Sequence, residues 1–188
     1  MKAPFKPRRV PPPLTISSLN ELALRYVGNY ATTRAKLRAY LSRKLRERGW
    51  DGERDPDLEE LAEQFAEHGY VDDAAFALSQ SRSLSSRGFG KRRLVEKLRL
   101  AGVGVDESME ANNHADGEAI EAALRFAERR RIGAFATDQA DLREREKWIS
   151  AMVRAGHSFS LSRVIASMDP GSEIDTEALQ EHAPVLRR

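Results

Sequence analysis

The sequence predicts an all-α chain, organised as three tandem three-helix repeats stacked into an elongated, curved array, and three observations carry that expectation. The eight prolines are Pro4, Pro7, Pro11, Pro12, Pro13, Pro56, Pro170 and Pro184, so nothing between residues 57 and 169 breaks a helix at proline. Apolar residues in that stretch recur with helical spacing, and strand-like alternation of β-branched residues is scarce. Finally, Gly49-Trp50, Gly102-Val103 and Gly156-His157 fall about 53 residues apart and close the same apolar line each time. Leu45, Leu98 and Met152 stand one turn before each glycine, and Leu41, Leu94 and Trp148 stand two turns before it.

Taken in order, residues 1–17 form a basic, proline-rich tail in which Lys2, Lys6, Arg8 and Arg9 surround five prolines, a composition expected to stay solvated. Folded sequence is expected from near Ser18. Repeat 1 covers 18–69 and pairs a helix over 19–27 with one over 33–48; a third helix over 58–68 closes it, with Asp55 as cap and Pro56 in the first turn. Repeat 2 covers 70–113. Gly69 stops the preceding helix, Asp72 and Asp73 are placed to cap the next one over 74–86, and a second helix runs over 91–101 after the Gly88-Phe89-Gly90 turn, followed by a short apolar segment over 105–111. Repeat 3 covers 114–169 after a loop at 112–116. It pairs helices over 118–131 and 138–155 and closes with 161–168, leaving 170–188 as a frayed C-terminal tail.

Composition narrows the function classes. The 188 residues contain no cysteine, which excludes disulfides, thiol catalysis and cysteine-ligated zinc. A 32% charged content with mean hydropathy −0.58, and no apolar run of signal-peptide or membrane-span length, point to a cytoplasmic protein without a membrane partner. No catalytic constellation emerges. A GxxxxGK[ST] phosphate loop is absent, and Gly88-Phe89-Gly90 lacks the strand and the further glycines that a dinucleotide loop needs. His68, His114, His157 and His182 have no metal-ligand spacing and are expected to be solvated or partly packed. The Asp72-Asp73 pair is better explained by capping than by acid–base chemistry. Tyr70, Phe76 and Phe89 are better explained by core packing than by base stacking. The expectation is therefore no catalytic residue, no metal and no cofactor.

Charge is the feature left to explain. One helix carries Arg34, Lys36, Arg38, Arg43, Lys44, Arg46 and Arg48 against Glu47 alone, with Leu37, Leu41 and Leu45 turned inward. Repeat 2 has a second such cluster in Arg82, Arg87, Lys91, Arg92, Arg93, Lys97 and Arg99, around Leu94 and Leu98. Between them, 51–73 is acidic, so separated positive and negative surfaces are expected. A charge run is most simply a solvated face, but two basic helices at the same place in successive repeats could form a stripe suited to a polyanion. In the third repeat Arg143, Arg145 and Lys147 interleave with Asp141, Glu144 and Glu146, so the stripe fades there.

The string Gly69-Tyr70-Val71-Asp72-Asp73-Ala74-Ala75-Phe76-Ala77, then Ser81-Arg82, Arg87-Gly88, Leu94, Leu98 and Gly102-Val103, resembles the central repeat of the RecX regulatory proteins, bacterial modulators of the RecA recombinase. The likeness is specific in this core and looser over 19–168. It implies a binding protein, not an enzyme, that lodges on the RecA nucleoprotein filament and restrains recombination, ATP hydrolysis and co-protease activity in DNA repair and the SOS response. The motif itself carries Arg82, Arg87 and Gly88. The other partner-binding candidates, Lys91, Arg92, Arg93, Lys97 and Arg99 with Arg34, Arg38, Arg43 and Arg46 as a second group, rest on charge alone. The competing classes are a direct binder of single- or double-stranded DNA, whose affinity would fall steeply with salt, and an adaptor for another acidic protein. A monomer is expected.

Overall fold

The computed structural model describes residues 12–183, and among them the chain is all-helical. It divides into two compact units, with the boundary between Asp72 and Asp73.

Unit 1 is built on α1 (Ile16–Asn29), α2 (Arg34–Arg48) and α3 (Leu58–Glu67). Thr15 caps α1 with a reciprocal bond to Ser18, and the Thr33 hydroxyl accepts from the Lys36 amide at the start of α2. The cap of α3 is Asp57, whose Oδ1 accepts from Glu59 and Glu60 at 2.9 and 3.0 Å, so Pro56 precedes the cap and does not occupy the first turn. Leu19, Ala23, Leu37, Leu41, Leu61, Ala62 and Val71 form the core. The expected boundary of the tail is corrected: Leu14 is 0% exposed within this core. Its amide donates to Gly49 O at 2.9 Å, its carbonyl accepts from Asp51 at 2.8 Å, and Arg48 donates to Pro12 O. The expectation of a solvated tail for residues 1–11 lies outside the described residues.

Unit 2 holds α4 (Asp73–Ser86), α5 (Lys91–Leu100), α6 (Met109–Gly117), α7 (Ala119–Arg130), a 3₁₀ turn at Gly133–Phe135, α8 (Leu142–Arg154), α9 (Phe159–Ser167) and α10 (Thr176–Gln180). Three expectations are revised. The predicted loop at 112–116 is helical, because Ala111 and Ala115 are buried one turn apart and the Ser81 hydroxyl of α4 donates to Ala111 O at 2.8 Å. The last long helix starts at Leu142 on an Asp141 cap, four residues after its expected start. The predicted frayed tail contains α10, held by the Asp175 cap and by Leu179, 1% exposed, in the core of α7–α9.

Two apolar clusters occupy unit 2. Phe76, Ala77, Leu84, Leu94, Leu98, Ala101, Ala111 and Ala115 join α4–α6, while Phe126, Ile132, Met152, Leu161, Ile165 and their neighbours join α7–α10. Phe89 packs against both. The turn that carries it is the seam between them. Gly90 N donates to Ala155 O at 3.0 Å, Arg92 N donates to Gly156 O at 3.2 Å, and Arg129 Nη1 donates to Arg87 O at 2.7 Å. His157 Nε2 lies 3.1 Å from Gly88 O. Backbone meets backbone so closely that a Cβ on Gly90 would sit 2.3 Å from Gly156 O. On Gly156, with φ +101°, a Cβ would sit 2.7 Å from Arg93 N.

Candidate partner-binding surface

Helix α5 displays most of the cations predicted in the repeat 2 cluster, and its sequence explains how. Leu94 and Leu98, 1% and 3% exposed, fix one face inward and leave Arg92, Arg93, Lys97 and Arg99 in solvent. Lys97 and Arg99 lie in the last turn, where the helix dipole favours positive charge. Lys91, Arg92 and Arg93 lie in the first turn, where the dipole opposes it, and Gly90 supplies no side-chain cap. Two of the three have partners. Lys91 Nζ reaches Asp116 Oδ2 of α6 at 2.5 Å, with the Asp116 side chain 6% exposed, and Arg93 Nη1 reaches Glu96 at 3.1 Å.

Two clefts flank α5 and divide the predicted set. One, about 370 Å³, gathers Arg87, Arg93 and Lys97 with Phe89 and Leu100, and the Arg87 guanidinium lies 5.4 Å from the Phe89 ring centroid. The other, about 470 Å³ and largely apolar, has Lys91 and Arg92 at its edge and reaches Gly156, His157 and Leu161. Arg82 on α4 and Arg99 on α5 line neither cleft. Among the described residues Arg82, Arg87, Arg92, Lys97 and Arg99 are exposed and have no ion-pair partner, so they are the unneutralised part of the repeat 2 cluster.

The second predicted group is placed differently. The acidic helix α3 packs on the basic helix α2, so the expected separation of positive and negative surfaces does not hold there. Arg34 pairs with Glu63 at 3.0 Å and Arg38 pairs with Glu59. Arg43 and Arg46 are exposed on another side of α2, Arg43 3.6 Å from Glu47 and Arg46 bonded to Ser42 at 3.0 Å. The Lys44 ammonium, hydrogen-bonded to Glu47, holds that carboxyl below its usual range.

The motif residues resolve into structural roles. Gly69, Gly88, Gly102 and Gly156 take positive φ after α3, α4, α5 and α8, where the next residue's amide reaches back five residues, as in Val103 N to Leu98 O at 3.1 Å. Phe76 is buried, and Asp73 is the buried first residue of α4 with Asp72 exposed just before it. Tyr70 departs from its predicted core position. It is 56% exposed and lies against Phe65 and His68.

His157 departs from the expectation for histidines. At 3% exposed beside Phe126, it has a pKa lowered to about 4 by burial, against which the Gly88 carbonyl acts weakly in the other direction. His114 Nδ1 lies 3.1 Å from the Ser81 hydroxyl, which is fully buried and ties α4 to α6. Among the described residues no group of three or more His, Asp or Glu is arranged to hold a metal ion, and no helix is long and apolar enough to cross a membrane.

Comparison with known proteins bears on what such a surface serves. No family model matches the chain. The regulatory protein RecX of Myxococcus xanthus is 30% identical over 177 residues, covering 90% of this chain and 92% of that protein. RecX of Mycobacterium sp. strain JLS is 31% identical over 176 residues, covering 87% and 90%. Among solved structures, RecX of Lactobacillus salivarius superposes with a TM-score of 0.59 at 17% identity over 80% of this chain and 93% of its own, a likeness of fold. A second RecX crystal structure gives 0.55 at 19% identity over 80% and 72%. With matching residues along nearly the whole of both sequences and a shared helical fold, the chain belongs to the RecX family of regulatory proteins.

Proposed function

We propose that this protein binds the RecA nucleoprotein filament and restrains its strand exchange, ATP hydrolysis and co-protease activity, acting as a cytoplasmic monomer and as a binding protein without catalysis of its own. Membership of a family of regulatory proteins over nearly full length carries this reading. The exposed cations of α4 and α5 give it a surface. Arg82, Arg92, Lys97 and Arg99 project without ion-pair partners among the described residues, and the cleft holding Arg87, Arg93 and Lys97 adds Phe89 and Leu100 as apolar contacts. Long-range attraction from such a set would speed capture of an acidic filament, and the apolar floor would contribute the specific contacts.

The test is single-stranded-DNA-dependent ATP hydrolysis by RecA, titrated with the wild-type chain and with an Arg92→Glu, Lys97→Glu, Arg99→Glu variant. All three side chains are exposed, so the variant should keep its helical content. Suppression at ratios well below one per RecA subunit, under salt at which bare DNA is not bound, supports the proposal, as does loss of suppression in the folded variant. Absence of suppression by the wild type would overturn it. Equal suppression by the variant would move the contact away from α5.

A further inference from the structure

A surface of unit 1 combines three tyrosines with cations of α1 and α2, among them Arg43 and Arg46 of the second predicted group. Tyr26 and Tyr30 stand one turn apart at the end of α1, and Tyr40 faces them from α2. The rings of Tyr26 and Tyr40 are stacked, with centroids 4.2 Å apart and planes 9° from parallel, and Tyr30 leans on Tyr26 at 5.4 Å. The charged groups of Arg43 and Lys44 lie 5.7 and 5.9 Å from the Tyr40 ring centroid. Tyr30, the outermost ring, is 63% exposed.

These rings floor a groove of about 750 Å³ edged by Arg25, Lys36 and Arg43, and a second of about 490 Å³ runs on past Tyr40 to Arg46. Among the described residues no acidic side chain lines either one. The nearest carboxylate on α2, Glu47, is turned to Lys44 and Arg43 at its rim.

The chemistry selects the occupant. Arg25, Lys36, Arg43, Lys44 and Arg46 line the two grooves against the rim carboxylate of Glu47, an excess of positive charge that calls for an anion, and a groove that continues past one site calls for a chain of them. An open aromatic ladder adds flat faces, which a phosphate or an acidic peptide cannot use and which a duplex cannot meet, because its base faces are already stacked internally. A single strand offers both, since its phosphates can follow the cations while an unstacked base lies on a ring. We propose that this tyrosine-floored groove binds single-stranded nucleic acid, with a base stacked on Tyr30 and the flanking phosphates on Arg25, Arg43 and Arg46. The site is sequence-tolerant, because every base has a π-face. It is independent of the recombinase reading and is tested without recombinase.

The probe is a fluorescently labelled oligothymidylate, its binding to the full chain followed by anisotropy at fixed low salt. Comparators are an abasic oligomer of equal length, a hairpin duplex of equal charge, and polyglutamate as competitor. Tyr30→Ala should weaken oligothymidylate binding about tenfold, the loss expected for one base–aromatic stack, and leave abasic binding unchanged. Tyr30→Trp should restore the affinity and show indole quenching on binding. Arg43→Glu should weaken oligothymidylate and abasic oligomer alike. Because Tyr30 is exposed, its replacement leaves the core of unit 1 intact. Equal binding by wild type and Tyr30→Ala, abasic affinity matching that for oligothymidylate, tighter binding of the duplex, or equal competition by polyglutamate would each overturn the proposal.

Discussion

Lowering the pH from 7 to 4 is expected to remove about 3 kcal/mol of stability through His157 alone. In the folded chain its pKa is about 4 against an ordinary 6.5, because burial disfavours the imidazolium more than the Gly88 carbonyl favours it. Between those values the unfolded chain holds a proton that the folded chain does not, so stability rises with pH. The contribution is complete above about 6.5 and is lost as the pH falls through about 4. A depression of roughly 2.5 units at about 1.4 kcal/mol per unit gives the ~3 kcal/mol, a large part of the ~5–15 kcal/mol that holds a domain folded.

Equilibrium urea unfolding at steps from pH 7 to 4 would measure it. Fluorescence of Trp148 in a Trp50→Phe background confines the signal to unit 2. The reference is His157→Gln, whose amide keeps a donor for the Gly88 carbonyl but does not titrate, so carboxylate titrations common to both proteins cancel in the difference. Wild type should be the more stable at pH 7 and should lose about 3 kcal/mol relative to His157→Gln by pH 4. Parallel stability curves would refute the assignment of His157 as a buried neutral ring at the seam.

Other outcomes follow from single contacts. Gly90→Ala and Gly156→Ala should each cost on the order of 3 kcal/mol in urea unfolding, since the new methyl meets main chain that cannot rotate away, and the double variant should cost less than the sum because both break one seam. Arg131 holds φ 54° at the end of α7, where a side chain is disfavoured, so Arg131→Gly should raise the midpoint of unfolding and stabilise by about 1 kcal/mol. The Lys91–Asp116 pair should be lopsided: Lys91→Ala strands a buried carboxylate whose Oδ1 already has no partner and should cost about 3 kcal/mol, whereas Asp116→Ala leaves a partly solvated ammonium and should cost about 1 kcal/mol. Equal losses in the two variants would place the charge of that pair in solvent.

What the sequence made legible is what is local. The boundaries of α2, α4, α5 and α7 follow from caps, left-handed glycines and apolar lines within a few residues of each end, and the motif from Gly69 to Val103 led to the family. Helix α6 was hidden because its string MEANNHADG has weak propensity and buries only two alanines; it is helical by virtue of α4 lying against it. Leu14 and Leu179 were hidden for a related reason, each being a lone apolar residue whose pocket is assembled by distant helices. The ion pairs of Arg34 and Arg38 were hidden because their partners lie a helix away, beyond what a run of like charges along the chain can show. The tyrosine groove was half visible: Tyr26 and Tyr30 share a face at i, i+4, but only the fold brings Tyr40 beside them.

The seam at Gly90 and Gly156 divides the positions of unit 2 into two kinds. Beside the side-chain bonds of Arg129 and His157, the contact between Gly90 and Gly156 is made by amides and carbonyls, which every residue possesses, and what the sequence must supply there is the absence of a side chain at two places about 66 residues apart. A joint written in missing atoms leaves its neighbours chemically unconstrained, so α5 can trade one surface cation for another without disturbing how it is seated on the end of α8. The same joint is stiff, because two backbones in contact have no rotamers through which to yield. A force applied to the exposed arginines of α5 would therefore reach α8 and α9 with little loss, and unit 2 would meet a partner as one rigid piece, not as two helical layers that adjust separately.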